Sequence, residues 1–211
     1  MVSAVLSPKT KKLLNKLAQQ KWLSGFYLAG GTALALQYGH RQSIDLDWFC
    51  PFDLDNRQLV SQVSQTGKFT LLNEDKNTVG GILDGVKVSF LSYPYPLLKK
   101  PTKYLSMIKL AAPLDIALMK LSAIGNRNTK KDFIDLYFFL AATKMNLVQL
   151  FGYLPKKFKK IDYSRYHFVK SLVYFAEADR EPLPLMIKPV RWSAVKKFFQ
   201  KEVSAFVKSA R

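Results

Sequence analysis

The chain has 211 residues, of which 48% are hydrophobic, and a formal net charge of +18 at pH 7. This composition is that of a globular protein and excludes a disordered one, and the length suffices for one large domain or two small ones. No apolar run approaches the roughly 20 residues that span a bilayer. With no signal-peptide pattern at the N-terminus, a cytoplasmic protein is expected. Cys50 is the single cysteine, which excludes an internal disulfide, and two histidines are too few for a typical zinc site.

The positive charge is concentrated in the second half. Residues 1–98 hold 10 basic and 7 acidic residues, a net of +3, whereas residues 99–211 hold 23 and 8, a net of +15. This asymmetry favours a nucleic-acid partner, with a membrane surface as the alternative. Each residue taken singly is more simply explained as solvated surface or core. The lysine pairs and the interleaved aromatics are Lys99-Lys100, Lys130-Lys131, Lys156-Lys157, Lys159-Lys160, Lys196-Lys197, Tyr153, Phe158, Tyr163, Tyr166, His167 and Trp192.

Turn and cap residues divide the first half into short elements. Ser7-Pro8 predicts the start of a helix that runs to about residue 21, because serine accepts hydrogen bonds from free N–H groups and proline suits the first turn. Asp84-Gly85 predicts a two-residue hairpin turn. The hydrophobic pattern predicts strands at 26–29, 44–49, 68–73, 78–83 and 86–93, and helices at 31–38 and 56–66.

The second half is predicted to be helical. Pro94, Pro96 and Pro101 indicate a linker, followed by a short strand at 106–110. The expected helices are 113–124 and 130–142, joined antiparallel through Gly125-Asn126, and then 147–158, 163–178 and 193–208. The predicted fold is α/β (α+β). A core at residues 1–98 carries a small mixed sheet, and a basic helical region at 99–211 completes the active site and binds nucleic acid.

A glycine pair stands where the first strand meets its helix. Gly30-Gly31 comes after an apolar run and precedes a helix-like segment. The free backbone N–H groups at such a junction lie at the positive end of the helix dipole, which suits a phosphate. A glycine pair by itself usually marks only a turn. Its meaning therefore depends on the residues of the next strand.

That strand carries two carboxylates. Asp45 and Asp47 alternate with apolar residues, so both should project from one face, while Ile44, Leu46 and Trp48 should point into the core. Like charges side by side repel unless a cation lies between them, and carboxylate oxygens suit Mg²⁺ or Mn²⁺. Together with the glycine pair, these aspartates favour chemistry on a nucleoside triphosphate.

The pattern of Gly30-Gly31, thirteen residues and Asp45-x-Asp47 resembles the signature of the polymerase-β nucleotidyltransferase superfamily. The fuller pattern, AGGTALAL…HRQSIDLDWF, resembles its AbiEii/AbiGii toxin branch, and the resemblance extends to about residue 140. It implies a polymerase-β-like core and the toxin of a type IV toxin–antitoxin system. Such a toxin would use Mg²⁺ or Mn²⁺ to move a nucleoside monophosphate from an NTP to an acceptor, expected to be RNA such as a tRNA end. A cognate antitoxin would be a further partner.

The resemblance also implies the catalytic residues. Asp45 and Asp47 would hold the metal, and Lys120 would reach the phosphates, although a lysine on an apolar helix normally extends to solvent. Asp132 would position Lys120 or activate the acceptor. Asp135, one turn later, is interpreted as stabilising a helix N-terminus.

Several residues are candidates for nucleotide binding, and alternatives stay open for most of them. Thr32 is a hydroxyl donor or a helix cap, and Ser43 bonds a phosphate or ends the strand. Arg41 pairs with a phosphate or with the aspartates, and Arg127 contacts the nucleotide or caps its helix. The full nucleotide-binding set is Gly30, Gly31, Thr32, Arg41, Ser43, Arg127 and Lys131.

One departure concerns a third carboxylate that many nucleotidyltransferases carry on a later strand. The corresponding strand here places Ser89 at that position. The alternative function is therefore a catalytically weak or inactive module on this scaffold that binds nucleic acid or a partner protein. Transfer to a small molecule is a third hypothesis, which the basic second half makes less natural.

Overall fold

The structure is a computed structural model that describes residues 4–159 and 164–209. Its helices, with a 3-10 turn at Lys21–Gly25 after the first, are α1 Pro8–Leu17, α2 Gly30–Tyr38, α3 Asn56–Thr66, α4 Pro113–Arg127, α5 Lys130–Thr143, α6 Leu147–Phe151, α7 Leu154–Lys157, α8 Arg165–Ser171, α9 Ala176–Arg180 and α10 Trp192–Ser209. Its strands are β1 Tyr27–Leu28, β2 Leu46–Cys50, β3 Phe69–Asp75, β4 Thr78–Leu83, β5 Val86–Ser92, β6 Thr102–Lys103 and β7 Lys109–Leu110. Within this part of the chain, none of the helices is long and apolar enough to cross a bilayer.

The seven strands form one mixed sheet in the order β3-β4-β5-β2-β1-β7-β6. The pairs β2–β5 and β1–β7 are parallel, and the other neighbours are antiparallel. In the β2–β5 pair, Asp47 is in register with Ser89. The mixed α/β architecture predicted from the sequence is thus confirmed.

Local signals placed several elements well. Ser7 caps α1 by accepting a hydrogen bond from the backbone N–H of Thr10, and α3 has the predicted bounds. Asp84 and Gly85 both have positive φ, 47° and 73°, as the hairpin turn between β4 and β5 requires. These features depend on neighbouring residues only, which explains why the sequence predicted them.

Other expectations were wrong. The second strand begins at Leu46, and Ile44 is 66% exposed because it lies in the loop before the strand. Gly125 and Asn126 lie inside α4, and the helical pair turns instead at Asn128, whose φ of 53° closes α4. Asparagine tolerates this left-handed conformation better than most residues.

The later helices are shorter than expected. The helix predicted at 147–158 is interrupted at Gly152 and divides into α6 and α7. That predicted at 163–178 divides into α8 and α9; its first residue, Tyr163, lies outside the described residues, as does Lys160.

Two hydrophobic clusters meet at the start of α4. The first packs α1, α2 and α3 against one face of the sheet, where Trp48 and Phe90 are fully buried. The second packs α4 and α5 with the later helices, around Phe133 and Phe199. The opposite face of the central strands is left to form one wall of a cleft. The boundary between the core at residues 1–98 and the basic helical region at 99–211 stays a prediction.

Lys157 is not on the basic surface where the sequence placed it. Its side chain is fully buried, and Nζ lies 2.8 Å from Oδ1 of Asp115 and 2.9 Å from the carbonyl oxygen of Pro96. The carboxylate of Asp115 also accepts the backbone N–H groups of Leu98 and Lys99. Lys157 therefore ties α7 to α4 and to the linker, and only its neighbour Lys156 is exposed.

A pair of substitutions distinguishes the two lysines. Lys157→Met should destabilise the protein by about 3 kcal/mol, because Asp115 loses the cation of a buried ion pair. Lys156→Met should change the free energy of unfolding by less than about 0.5 kcal/mol, as for an ordinary surface site. Urea unfolding of both variants measures this, and equal stabilities would contradict the burial of Lys157.

Candidate active site

An open cleft of about 750 Å³ lies between the central strands and α4. Its floor consists of alternate residues of β2 and β5, among them Asp47, Ser89 and Leu91. The α4 wall shows helical spacing, since residues three and four apart share a face. It is formed by Met119, Ser122, Ala123 and Asn126.

Asp45 and Asp47 both line this cleft and are half-buried. Within the described residues, neither carboxylate forms an ion pair or accepts a side-chain hydrogen bond. Burial raises the pKa of Asp47, and the nearby charge of Asp45 adds to this effect while Lys120 opposes it. Two unpaired carboxylates on one side of a cleft are a donor set that fits a divalent cation.

The glycine pair is required by close packing. Gly30 has a φ of 64°, and a Cβ there would lie 2.8 Å from Oδ2 of Asp47. A Cβ on Gly31 would lie 2.1 Å from Nη2 of Arg41. The first turn of α2 can therefore approach the carboxylate of Asp47 and the guanidinium of Arg41 only with glycine at both positions.

Thr32 holds the loop that carries the first aspartate. Its hydroxyl lies 2.7 Å from that of Ser43 and donates to the backbone carbonyl oxygen of Asp45. The cap position of α2 is Ala29, so Thr32 is not a helix cap. The same loop is held from its other side, where the N–H of Gln42 donates to the carbonyl oxygen of Leu185 at 2.8 Å.

Asp135 is the centre of a buried ionic network. Nε and Nη2 of Arg41 donate to its two carboxylate oxygens at 2.7 and 2.9 Å, a bidentate arrangement. Nε2 of His40 lies 2.8 Å from Oδ1, and Nζ of Lys120 lies 2.7 Å from Oδ2. The side chain of Asp135 is fully buried. It binds the loop before β2 to α4 and α5.

Asp132 extends the network to the cleft. It accepts Nζ of Lys120 at 2.7 Å, Nε of Arg127 at 2.8 Å and the hydroxyl of Thr129 at 2.7 Å. Lys120 thus bridges Asp132 and Asp135, and one of its three N–H donors is left over. The side chain of Arg127 is 55% exposed and lines the cleft.

The charges of this network hold both aspartates ionised. Burial alone would raise their pKa values, but the cations, with Lys120 contributing most, lower the pKa of Asp132 and hold that of Asp135 well below its usual range. The pKa of Lys120 is raised by the two carboxylates in spite of its burial. Groups with such pKa values are poor proton acceptors at neutral pH, so the network positions charges instead of transferring protons.

The lowered pKa values predict a loss of stability in acid. Because the two aspartates have lower pKa values in the folded than in the unfolded chain, the unfolded chain binds protons first as the pH falls. Their contribution should be complete above about pH 5 and lost progressively below about pH 4. Urea midpoints between pH 7 and 3 measure this, and a constant midpoint below pH 5 would contradict it.

Two cations at the cleft form no ion pair within the described part of the chain. Lys131, which the sequence indicated, is exposed and lines the cleft. Its neighbour Lys130 is buried and donates its backbone N–H to Glu181. Lys87 on β5 was not expected. It projects two residues before Ser89, on the strand face that forms the cleft floor. Both lysines are free to meet a phosphate.

Sequence reasoning missed three members of this site. Asp135 was assigned to a helix N-terminus, but it lies in the second turn of α5 and is buried. The buried ring of His40 contacts Asp135, and Lys87 lines the cleft. A charged residue among Phe133, Ile134 and Leu136 was the signal for Asp135, because such a position is normally apolar.

Ser89 stands where the resemblance implies the position of the third carboxylate, an assignment that stays a prediction. Ser89 is in register with Asp47 and lines the cleft. Among the residues that the structure describes, no group of three or more histidine, cysteine or acidic side chains could hold a metal ion. The assignment of Asp45 and Asp47 as metal ligands stays a prediction from the sequence.

Residues 12–79, about a third of the chain, match the family model described as nucleotidyl transferase AbiEii toxin, type IV toxin–antitoxin system. An uncharacterized protein of Aquifex aeolicus (strain VF5) is 39% identical over an alignment of 209 positions that covers 97% of this chain and 98% of that protein.

Two solved structures are similar in fold. MenT4, a nucleotidyltransferase toxin from Mycobacterium tuberculosis H37Rv, aligns with a TM-score of 0.51 at 15% identity, over 94% of this chain and 86% of that chain. Megavirus polyadenylate synthase aligns with a TM-score of 0.45 at 13% identity, over 64% of this chain and 32% of that chain, so this chain spans about a third of its length. Only the first of these likenesses supports the fold, which matches that of nucleotidyltransferase toxins.

Proposed function

Because this chain belongs to the AbiEii nucleotidyltransferase toxin family, we propose that it transfers a nucleoside monophosphate from an NTP to RNA, with a tRNA end as the first candidate acceptor. One observation carries this proposal. The carboxylates of Asp45 and Asp47 form no ion pair within the described residues, and they face an open cleft beside a buried ionic network. The protein would act in the cytoplasm as the toxin of a type IV toxin–antitoxin system, with a cognate antitoxin as partner.

Asp45 and Asp47 would hold Mg²⁺ or Mn²⁺. Their carboxylate oxygens are ligands that these hard cations prefer, and the raised pKa of Asp47 reflects a carboxylate in need of positive charge. Bound there, the cation would neutralise the charge of the triphosphate. With Ser89 on the neighbouring strand, the carboxylates that would hold the cation are those of Asp45 and Asp47.

The triphosphate would be held by groups at the other side of the cleft. Backbone N–H groups of Gly30 and Gly31 begin α2, where an anion is favoured. Lys131 and Lys87 supply unpaired positive charge, and Arg127 is partly exposed beside them. Arg41 donates Nε and Nη2 to Asp135, and the hydroxyl groups of Thr32 and Ser43 bond each other. These three residues therefore shape the loop that presents Asp45.

In the reaction, an acceptor hydroxyl oxygen becomes bonded to the α-phosphorus. The bond between the α- and β-phosphates breaks, and pyrophosphate and a proton are released. Catalysis of such a step depends on position and electrostatics more than on covalent chemistry. Lys120, fixed by Asp132 and Asp135, keeps its charge and one free donor at the cleft wall, where negative charge develops.

The alternative is a binding module without turnover, which the absence of a third carboxylate at Ser89 favours. Against it stands the complete network of Lys120, Asp132, Asp135, Arg41 and Arg127. A protein that only binds has no need to bury four of these charged groups, all except Arg127, at a cleft, since burying ions costs free energy.

Incubation of the purified protein with each α-labelled NTP, total tRNA and Mg²⁺ tests the proposal. We expect label on RNA with at least one NTP, lost on addition of EDTA and restored by excess Mg²⁺ or Mn²⁺. Label on a small molecule or protein instead of RNA would contradict the acceptor. No label with any NTP, despite RNA binding, would support the binding module.

A further inference from the structure

Helix α8 is fixed to the end of α4. Nε2 of His167 lies 2.8 Å from the carbonyl oxygen of Gly125, and the side-chain amide of Asn128 donates to the carbonyl oxygen of Ser171 at 3.2 Å. A Cβ on Gly125 would lie 3.1 Å from the ring of Phe168, so glycine allows this close approach. The position of α8 relative to α4 is therefore well defined.

This contact places α8 beside the mouth of the cleft. Asn126, next to Gly125 in the chain, lines the cleft, as does Arg127 after it. On α8, His167 lies at the edge of the buried face, because Phe168 and Ser171 are buried beyond it. The exposed side of His167 therefore lies next to the end of α4 that carries Asn126 and Arg127.

An exposed aromatic and a cation occupy that solvent side. Tyr166 is 76% exposed, the highest value among the large hydrophobic side chains that the structure describes. Lys170 is four residues later and hence on the same helix face. It is exposed, and within the described ranges it forms no ion pair. Tyr166 and Lys170 therefore present an aromatic ring and a positive charge on one exposed helix face.

Several other residues of the basic half are already engaged. Lys157 and Lys130 are buried, and Lys196 pairs with Asp179 at 3.0 Å. Trp192, the other prominent aromatic, donates its indole N–H to Asp179 at 2.6 Å. Of the aromatic and basic residues that the sequence analysis singled out, Tyr166 thus combines high exposure with a cation and a place beside the cleft.

We propose that Tyr166 and Lys170 bind the single-stranded end of the RNA acceptor. Tyr166 stacks on an unpaired base, and Lys170 contacts a backbone phosphate next to it. Aromatic rings and cations in alternation are the usual means of binding single-stranded nucleic acid, because every base has a stacking face and every linkage a charge. The inference rests on the proposed function for the identity of the acceptor. It adds the protein surface that binds this RNA.

Fluorescence anisotropy of the full chain with a labelled single-stranded RNA of about 12 nucleotides, without NTP, tests this surface. Tyr166→Ala should weaken binding at least about fivefold, whereas binding of a duplex RNA of equal length should change less than about twofold. Lys170→Gln should weaken binding of both RNAs and lower the slope of log affinity against log salt by about one.

Two substitutions serve as controls. Tyr174→Ala removes a half-exposed tyrosine that bonds Glu177, and Lys12→Gln removes an exposed lysine of α1, which packs on the sheet face opposite the cleft. Both should bind RNA as the wild type does. If Tyr166→Ala and Lys170→Gln also do so, the assignment is overturned.

The transfer assay separates this inference from the proposed function. With an active enzyme, Tyr166→Ala should raise the KM for RNA by about the loss in binding while kcat stays within about twofold. Wild-type protein that binds RNA without transferring label would contradict the proposed function, and the anisotropy result would still decide the surface. Transfer with an unchanged KM in Tyr166→Ala would overturn the surface and leave the function standing.

Discussion

Asp45→Asn is expected to reduce nucleotidyl transfer at least about 1,000-fold, which corresponds to roughly 4 kcal/mol of transition-state stabilisation. Asn keeps the shape of the side chain but removes one of the two negative charges that would hold the divalent cation. With Ser89 opposite Asp47, no carboxylate on the neighbouring strand could substitute for the lost ligand. The loss should appear in kcat, measured with labelled NTP and RNA.

The same substitution should leave the fold intact. Asp45 forms no ion pair within the described residues, and its charge contributes to the raised pKa of Asp47. Removing it should therefore leave the urea midpoint unchanged or slightly higher. Asp75→Asn, an exposed carboxylate on β3, is the matched control and should transfer normally. Transfer by Asp45→Asn within about tenfold of wild type would be incompatible with the metal role.

Asp135→Asn should destabilise the protein by about 3–5 kcal/mol, the range for breaking a buried ion pair. The amide would place N–H groups against the donors of Arg41 or Lys120, leaving Arg41 without its counterion and Lys120 with Asp132 alone. Urea unfolding at pH 7 measures the change, and its acid dependence below pH 5 should become shallower than that of the wild type.

Two further variants keep this prediction testable if Asp135→Asn does not fold. Arg41→Lys retains the charge and loses the bidentate contact, so an intermediate loss of about 1–2 kcal/mol is expected. Asp179→Asn breaks the exposed pair with Lys196 and should cost less than about 1 kcal/mol. If Asp135→Asn were as stable as Asp179→Asn, the network would not contribute to folding.

The sequence alone determined the chemical character of the site. The motifs Gly30-Gly31 and Asp45-x-Asp47 and the position of Ser89 lie in strand and turn patterns only a few residues long. Such patterns can be recognised from the local sequence. The mixed sheet, its hairpin at Asp84-Gly85 and the cap at Ser7 were predictable for the same reason. These features depend on backbone conformation, which the local sequence largely sets.

Only the tertiary structure decided which charged residues act together. Asp135 meets Arg41 across 94 positions of the chain, and Lys157 meets Asp115 across 42, through packing of helices that no local pattern records. The local sequence around a lysine or aspartate does not show whether the side chain is solvated or buried in an ion pair. The cost of burial depends on the partner, and only the folded structure supplies that partner. For that reason the sequence indicated a carboxylate site and a basic half. The tertiary structure showed that Asp135 lies in the buried network, Lys157 in the core and Tyr166 on the surface.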